Sequence, residues 1–339
     1  MKCKKVKFTG ISALLLLPGF FSSCVHEFPE AGESTDFQLT VRHDLGWDEY
    51  HMTGNRSEIS WQARYIFRIY PKGTTAIPIF EITRLSDDLT LSDFTTRMKL
   101  PKGEWDIYVW QDFVEGDEKT FYDAADFSAI TYSSPYVGNT DRRDAFEGRL
   151  SVNVSSSIKA DYQESGEIML SRPVAKYLFI ATDFEKFYHG ILTRGEASQA
   201  ENEYPAWSQM DEGERNEIIR NYKIVGLYPL FMPSRYDLFS RKIKDSARNV
   251  KYTGDIRPLD DKKAEIAFDY VLLDNQDSSV QVQIGLQRPD GTVSALSDVI
   301  TIPIKRSRVT YISGDFLTSN IGSGLNIDFS FSGDFNIKI

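Results

Sequence analysis

The chain has 339 residues, enough for two ordinary domains and short of three. Lys and Arg total 39 against 49 Asp and Glu, a formal charge of -10, and a surface of that sign repels phosphate backbones and argues against nucleic acid as a partner. With 41% hydrophobic and 13% aromatic residues the composition excludes a disordered chain.

Both cysteines, Cys3 and Cys24, fall in the first 24 residues, so no disulfide and no cysteine metal cluster can form in the body of the protein. The N-terminus carries Lys2, Lys4, Lys5 and Lys7, then an apolar run from Ile11 to Phe21, then Ser22-Ser23-Cys24. A basic start, a short apolar stretch and small residues before a cut site make a secretory signal. The run is too short for a helix that spans a bilayer, which needs roughly 20 apolar residues. The cysteine after two serines resembles a bacterial lipobox, and on that resemblance residues 1–23 form a signal peptide and Cys24 is acylated. Its removal takes four lysines, leaving 35 basic against 49 acidic residues, a balance of -14. Several acyl chains at Cys24 give durable attachment, because each buried methylene contributes about 0.8 kcal/mol. Residues 24–36 are acidic with Pro29 and Gly32 and read as a tether. Acidic residues after the cysteine also resemble the surface-export signal of Bacteroidetes lipoproteins.

From residue 37 onward the pattern predicts strands. Phe37–Val41 alternates apolar and polar, as do Ala63–Tyr70, Ile79–Arg84 and Phe94–Leu100. Pro101-Lys-Gly103 is a turn, and Trp105–Gln111 sets Trp105, Ile107 and Val109 on one face with Asp106, Tyr108 and Trp110 on the other. Arg149–Val154, Ile168–Leu170 and Arg172–Ala181 follow. Asp211–Tyr222 predicts one short helix with Asp211 as its N-cap and Ile218, Ile219 and Tyr222 turned inward. Strands resume at Tyr222–Tyr228, Ala264–Leu273, Val280–Leu286, Val299–Ile304, Val309–Ile312 and Leu325–Ile339, with a hairpin turn at Arg288-Pro-Asp-Gly291. Many short strands and one helix predict an all-β protein, two antiparallel β-sandwich domains in series (37–160 and 161–339) with a helical insertion in the second.

Residues that carry chemistry are sparse. The four histidines, His26, His43, His51 and His189, have no metal-ligand spacing, and neither HExxH nor GxSxG occurs. Gly322-Ser-Gly324 lacks the third glycine of a dinucleotide loop, and Asp87-Asp88 and Asp260-Asp261 sit in turn contexts without EF-hand spacing. No enzyme, metal or cofactor is expected. Trp47, Tyr50, Trp61, Trp105, Tyr108, Trp110 and Trp207 are candidates for a glycan-stacking platform, with Trp105 assigned to the core and Trp110 and Tyr108 the surface candidates.

Three stretches together resemble the fimbrillin-like lipoproteins of Bacteroidales, in particular minor and anchor fimbrial subunits. They are Ser171–Lys176, Leu227–Ser246, and the closing Val309–Thr318 with Gly324–Asp328 and Phe331–Ile337. The likeness covers about residues 165–339 and the lipobox. It implies two transthyretin-like β-sandwiches and a lipid-anchored place on the outer membrane, at the cell surface or in a fimbrium. The implied partners are other fimbrial subunits, the membrane through the acyl chains, and a ligand on a host or bacterial surface. Assembly in that family proceeds by β-strand addition. In its polymerising members an arginine-specific protease removes the first strand, and the candidate arginines here are Arg42 and Arg56. The last strand, Asp328–Ile339, either closes its own sheet or serves as a donor. The alternative from the aromatic residues is a surface glycan-binding lipoprotein.

Overall fold

The computed structural model describes residues 34–45, 61–116, 119–155, 164–193, 205–274, 276–318, 328–331 and 336–337, the last two segments by backbone alone. Cys24, Arg56, Trp47, Tyr50, the signal segment, residues 24–33 of the tether and Gly322-Ser-Gly324 lie outside the described residues. Among the described residues the fold is all-β with two short α-helices.

The largest sheet runs β3 (Phe80–Ser86), β2 (Trp61–Pro71), β5 (Gly103–Glu115), β9 (Phe146–Val154), β10 (Glu164–Ser171), β1 (Ser34–Asp44) and β4 (Phe94–Pro101), with β6 (Lys119–Thr120) on the end of β5. Alternation explains its inner face: Phe37, Leu39 and Val41 of β1 and Ala63, Tyr65, Phe67 and Ile69 of β2 are all buried. The link between β9 and β10 is a single pair, Ser171 opposite Glu147, and there the sheet folds over on itself. Glycines permit the close approach. A Cβ on Gly148 would stand 2.5 Å from Leu170, and one on Gly166 2.8 Å from the Phe37 ring. Pro101-Lys-Gly103 forms a turn, with Gly103 at φ +145°, but it joins strands that do not pair with each other.

The second half builds one sheet from β16 (Arg257–Pro258), β17 (Ala264–Leu272), β11 (Val174–Ala181), β20 (Val309–Gly314), β21 (Asp328–Phe331) and β22 (Asn336–Ile337). A second sheet there runs β15 (Val250–Asp255), β12 (Lys223–Tyr228), β18 (Ser278–Gln287) and β19 (Ile300–Ile304). Inward residues such as Phe179, Ile224, Ile266, Val282, Ile302 and Ile312 make one apolar core between them. Pairing is antiparallel except at β1–β10 and β11–β20, which are parallel. Among the described residues the segment expected as one closing strand, Asp328–Ile339, gives two strands in this sheet: β21 lies against β20, and β22 folds back antiparallel on β21.

Helix α2 (Glu212–Ile219) begins where the sequence places it. The Glu214 N–H donates to Asp211 Oδ1 at 2.8 Å and the Asp211 N–H to Glu214 Oε2 at 3.1 Å, a reciprocal cap. Ile218 and Tyr222 are buried. Helix α1 (Phe184–Thr193) is an addition to the sequence expectation, seated by Phe184, Phe187 and Tyr188.

A fourth sheet mixes the halves: β14 (Lys242–Ala247), β13 (Met232–Asp237), β8 (Ile130–Tyr132) and β7 (Tyr122–Asp123), with Tyr236 opposite Ile130. The first apolar core likewise takes in Tyr236, Leu238, Phe268 and Leu272 from the second half. A division of the chain at 160/161 would part β10 from the sheet it shares with β1.

Candidate functional site

Three places in this fold invite a functional reading. The first is the slot of β1. This strand lies between β10, parallel on one side, and β4, antiparallel on the other, so both rows of its backbone groups are engaged. Its inner side chains plug the core while Gln38, Thr40 and Arg42 face outward. Arg42 is half exposed and pairs with Asp93 at 3.2 Å and Glu167 at 3.1 Å. Its backbone sits in the ladder opposite Met169, and a protease that needs an extended, free chain reaches that bond only after the strand has peeled away. At the core end of β1, His43 packs edge-on against Phe146 at 5.0 Å. Burial lowers its pKa to about 4, with Arg172 adding to the effect and the Leu91 backbone opposing it.

The second is a seam between the halves. A single 3-10 turn, Asp141–Arg143, and the residues after it supply alternating charges to the second half. Lys176 donates to Asp141 at 2.7 Å, Arg172 to Asp144 at 2.9 Å, and Arg143 to Asp269 at 3.1 Å. Arg306 and Arg241 both pair with the buried carboxylate of Glu147. Asp144 and Arg172 are fully buried, and burial pushes the Asp144 carboxyl up to about 6 although Arg172 pulls it back. Burial also raises Asp269, against the pull of Arg143 and of the Tyr136 and Tyr228 hydroxyls that donate to it. Tyr177 continues the network by donating to Tyr228 at 2.6 Å. Such a seam holds two bodies in one register; it does not place a reactive group before a substrate.

The third is a cleft of about 890 Å3 on the outer face of β2 and β3, walled by residues 119–125 and 131–137 and by Arg143. Arg64 on its floor is held by Asp112, with Nε 2.8 Å from Oδ1, and Arg68 donates to Glu81 at 2.7 Å. The Arg143 guanidinium forms part of the wall and stands 4.2 Å from the ring centres of both Tyr132 and Tyr136. At the rim Trp61 stacks on Phe121 at 5.4 Å, and Lys119 and Arg142 lie over its ring.

The structure corrects the stacking candidates. Trp110 is 0% exposed and Tyr108 3%, so neither presents a ring to a ligand. They do occupy the face of β5 opposite Ile107 and Val109, but that face is covered as well. Tyr122 packs on Trp110 at 5.4 Å and Phe239, from the second half, on Tyr108 at 5.0 Å. Trp105 is partly buried against the first core and donates to the Pro101 carbonyl, and Trp207 packs on Phe184 in the second core. The cleft and the seam escaped the sequence reading. Asp141-Arg-Arg-Asp144, two charge pairs of opposite sign in four residues, was the visible trace of the seam. Among the described residues no group of His, Cys, Asp and Glu is placed to hold a metal, and no helix is long and apolar enough to cross a membrane.

The sequence matches the family of unknown function DUF6562 over residues 30–339. The chain belongs to that family. No curated protein matches it. Solved structures give likenesses at low identity. A candidate polysaccharide binding protein of Bacteroides thetaiotaomicron shares 11% identity, covers 90% of this chain and 98% of its own, and superposes with a TM-score of 0.47. The tip fimbrial protein Mfa3 of Porphyromonas gingivalis shares 11%, covering 88% and 99%, at 0.45. The fimbrial anchor protein Mfa2 of the same organism shares 11%, covering 88% and 98%, at 0.40. At these values the likenesses assign no role to the chain.

Proposed function

We propose that this chain is a cell-surface fimbrial subunit, or a fimbrial anchor or adhesin, acylated at Cys24 and assembled by β-strand addition, with no catalytic centre. The body would comprise two transthyretin-like sandwiches, divided nearer residue 172 than 160. The position of β1 carries the reading. Withdrawal of that strand leaves the backbone of β10 and of β4 facing each other across an empty track, with vacated sockets for Phe37, Leu39 and Val41. A donor strand of the same alternation fills such a groove through main-chain hydrogen bonds. The C-terminal segment offers that alternation in Phe329, Phe331, Phe335, Ile337 and Ile339. Cleavage after Arg56, or after Arg42 once β1 has peeled from its ladder, is the step proposed to release the β1 segment for good; a chain left uncut keeps its acyl anchor and acts as a base.

The test is made on cells that express the full chain. Metabolic fatty-acid label is expected on the wild type and lost in Cys24→Ala, and undiminished label in the variant overturns the anchor. Digestion with an arginine-specific protease is expected to give heat-labile ladders on denaturing gels. Monomer alone after complete removal of β1 overturns strand addition.

A further inference from the structure

Resting on the reading of β1 as a removable strand, we infer that its inner end is an acid-operated latch. A proton taken up by His43 lets Arg42, His43 and Asp44 lift from β10, which brings the bond after Arg42 within reach of a protease.

The register of β1 leaves this end the less firmly held. From Phe37 to Val41 the strand is paired on both sides, but the ladder with β4 stops at Val41 opposite Phe94. Beyond that point Arg42, His43 and Asp44 pair with Met169, Leu170 and Ser171 of β10 alone. A strand end held on one side opens locally at lower cost than a middle held on two. On the flank that β4 does not reach, a side chain takes over: Arg42 Nε lies 3.2 Å from Asp93, which stands just before β4.

The inner row of the same strand ends in a titratable group. Phe37, Leu39 and Val41 are apolar and buried, and His43 continues their face. Its ring meets Phe146 of β9 edge-on at 5.0 Å and Tyr65 of β2 at 6.1 Å, with both ring nitrogens shielded from water. The charged groups that face it are Arg172, which follows β10, and Asp93; the Leu91 backbone also bonds to it. The Tyr65 hydroxyl stays uncharged, because burial raises its pKa.

An imidazolium in this place would stand between rings and near a buried guanidinium, and burial accordingly holds the His43 pKa at about 4. Once residues 42–44 lift away the ring is hydrated and returns to the ordinary 6.5, so acid favours the lifted form. From pH 7 to pH 5 that difference multiplies the lifted fraction about twentyfold. Asp144, the partner of Arg172, has its carboxyl pushed up to about 6 by burial. Its protonation removes the charge that offsets Arg172 and makes a proton on His43 in the closed strand still less favourable.

The experiment is hydrogen–deuterium exchange of the full chain, in detergent, at pH 7 and pH 5. Mass spectrometry reads peptides from the end of β1 and, as a reference, from β5, with correction for the intrinsic exchange rate at each pH. Two variants are run beside it: His43→Gln, which takes up no charge in this range, and His43→Phe, which fills the ring site. Thermal unfolding at pH 7 confirms that each folds. In the unaltered chain, opening at residues 42–44 is expected to rise about twentyfold on acidification while β5 changes less than about threefold. In the folded variants the rise at β1 is expected to fall below about threefold as well. A rise below threefold in the unaltered chain overturns the latch. A full rise in either folded variant assigns the effect to another group, Asp144 included, and overturns it too. An equal rise in β5 means acid unfolding of the whole sheet and overturns local release. Neither cleavage nor assembly enters this measurement, so missing ladders would leave the latch standing, and loss of the latch would leave strand addition standing.

Discussion

The seam and the β1 slot are both places where distant segments meet, and they are built from opposite materials. In the seam, buried carboxylates are matched to particular cations: Asp144 to Arg172 and Asp269 to Arg143, all buried. Replacement of Asp144 leaves the Arg172 charge in a dry environment without its carboxylate. In the slot, the strand is held by repeating backbone bonds and by Phe37, Leu39 and Val41, and any strand with the same alternation satisfies it. Buried charge specifies one arrangement; a sheet ladder specifies a pattern and tolerates a substitute.

The largest test of this contrast is Asp144→Ala, which leaves Arg172 buried without its carboxylate and is expected to cost about 3–5 kcal/mol in urea unfolding. The pair Asp144→Leu with Arg172→Met is expected to recover most of that loss. A double variant as unstable as the single one would show that shape, not charge, holds the seam. Next is Leu39→Ala in the slot, with an expected loss of about 3 kcal/mol, against less than about 0.5 for Thr40→Ala on the outer face. Equal losses would mean that β1 is held by its backbone alone.

Where slot and seam meet, His43 supplies a pH test. Its pKa is about 4 in the folded protein against the ordinary 6.5 of an unfolded chain, so between these values the unfolded chain binds more protons. Stability from this residue is therefore full above pH 6.5 and falls on acidification toward pH 4, by up to about 3 kcal/mol. Unfolding curves of His43→Phe across that window are expected to lack this component. The smallest effect is Arg42→Ala, which removes two exposed ion pairs and is expected to change stability by less than about 0.5 kcal/mol.

Strands with clean alternation were legible in the sequence, and so was α2, because Asp211 and Glu214 have the spacing of a reciprocal cap. Strands β13 to β15 were not. Met-Pro-Ser-Arg-Tyr-Asp and Lys-Ile-Lys-Asp-Ser-Ala carry a proline and charges that local pattern reads as loop, and it is pairing of β13 with β8 and β14, and of β15 with β12, that makes them strands. Helix α1 did leave a signal, Phe184, Phe187, Tyr188, Ile191 and Leu192 at helical spacing. The two faces of β5 were read in the right alternation, but what covers the Trp110 face comes from residues 122 and 239 and has no local trace. The seam is hidden for the same reason: Glu147 and Arg306 are 159 positions apart, and two single charges so far separated look like any solvated pair.

The mixed sheet of β7, β8, β13 and β14 bears on anyone who would express this molecule in pieces. A gene fragment that stops before residue 232 leaves β8 with β7 on one side and a bare edge on the other and removes Phe239 from the Tyr108 ring, inviting aggregation in place of an autonomous module. Supplying the missing portion as a separate polypeptide is the practical remedy, and how firmly the two fragments recombine would measure the grip that joins them.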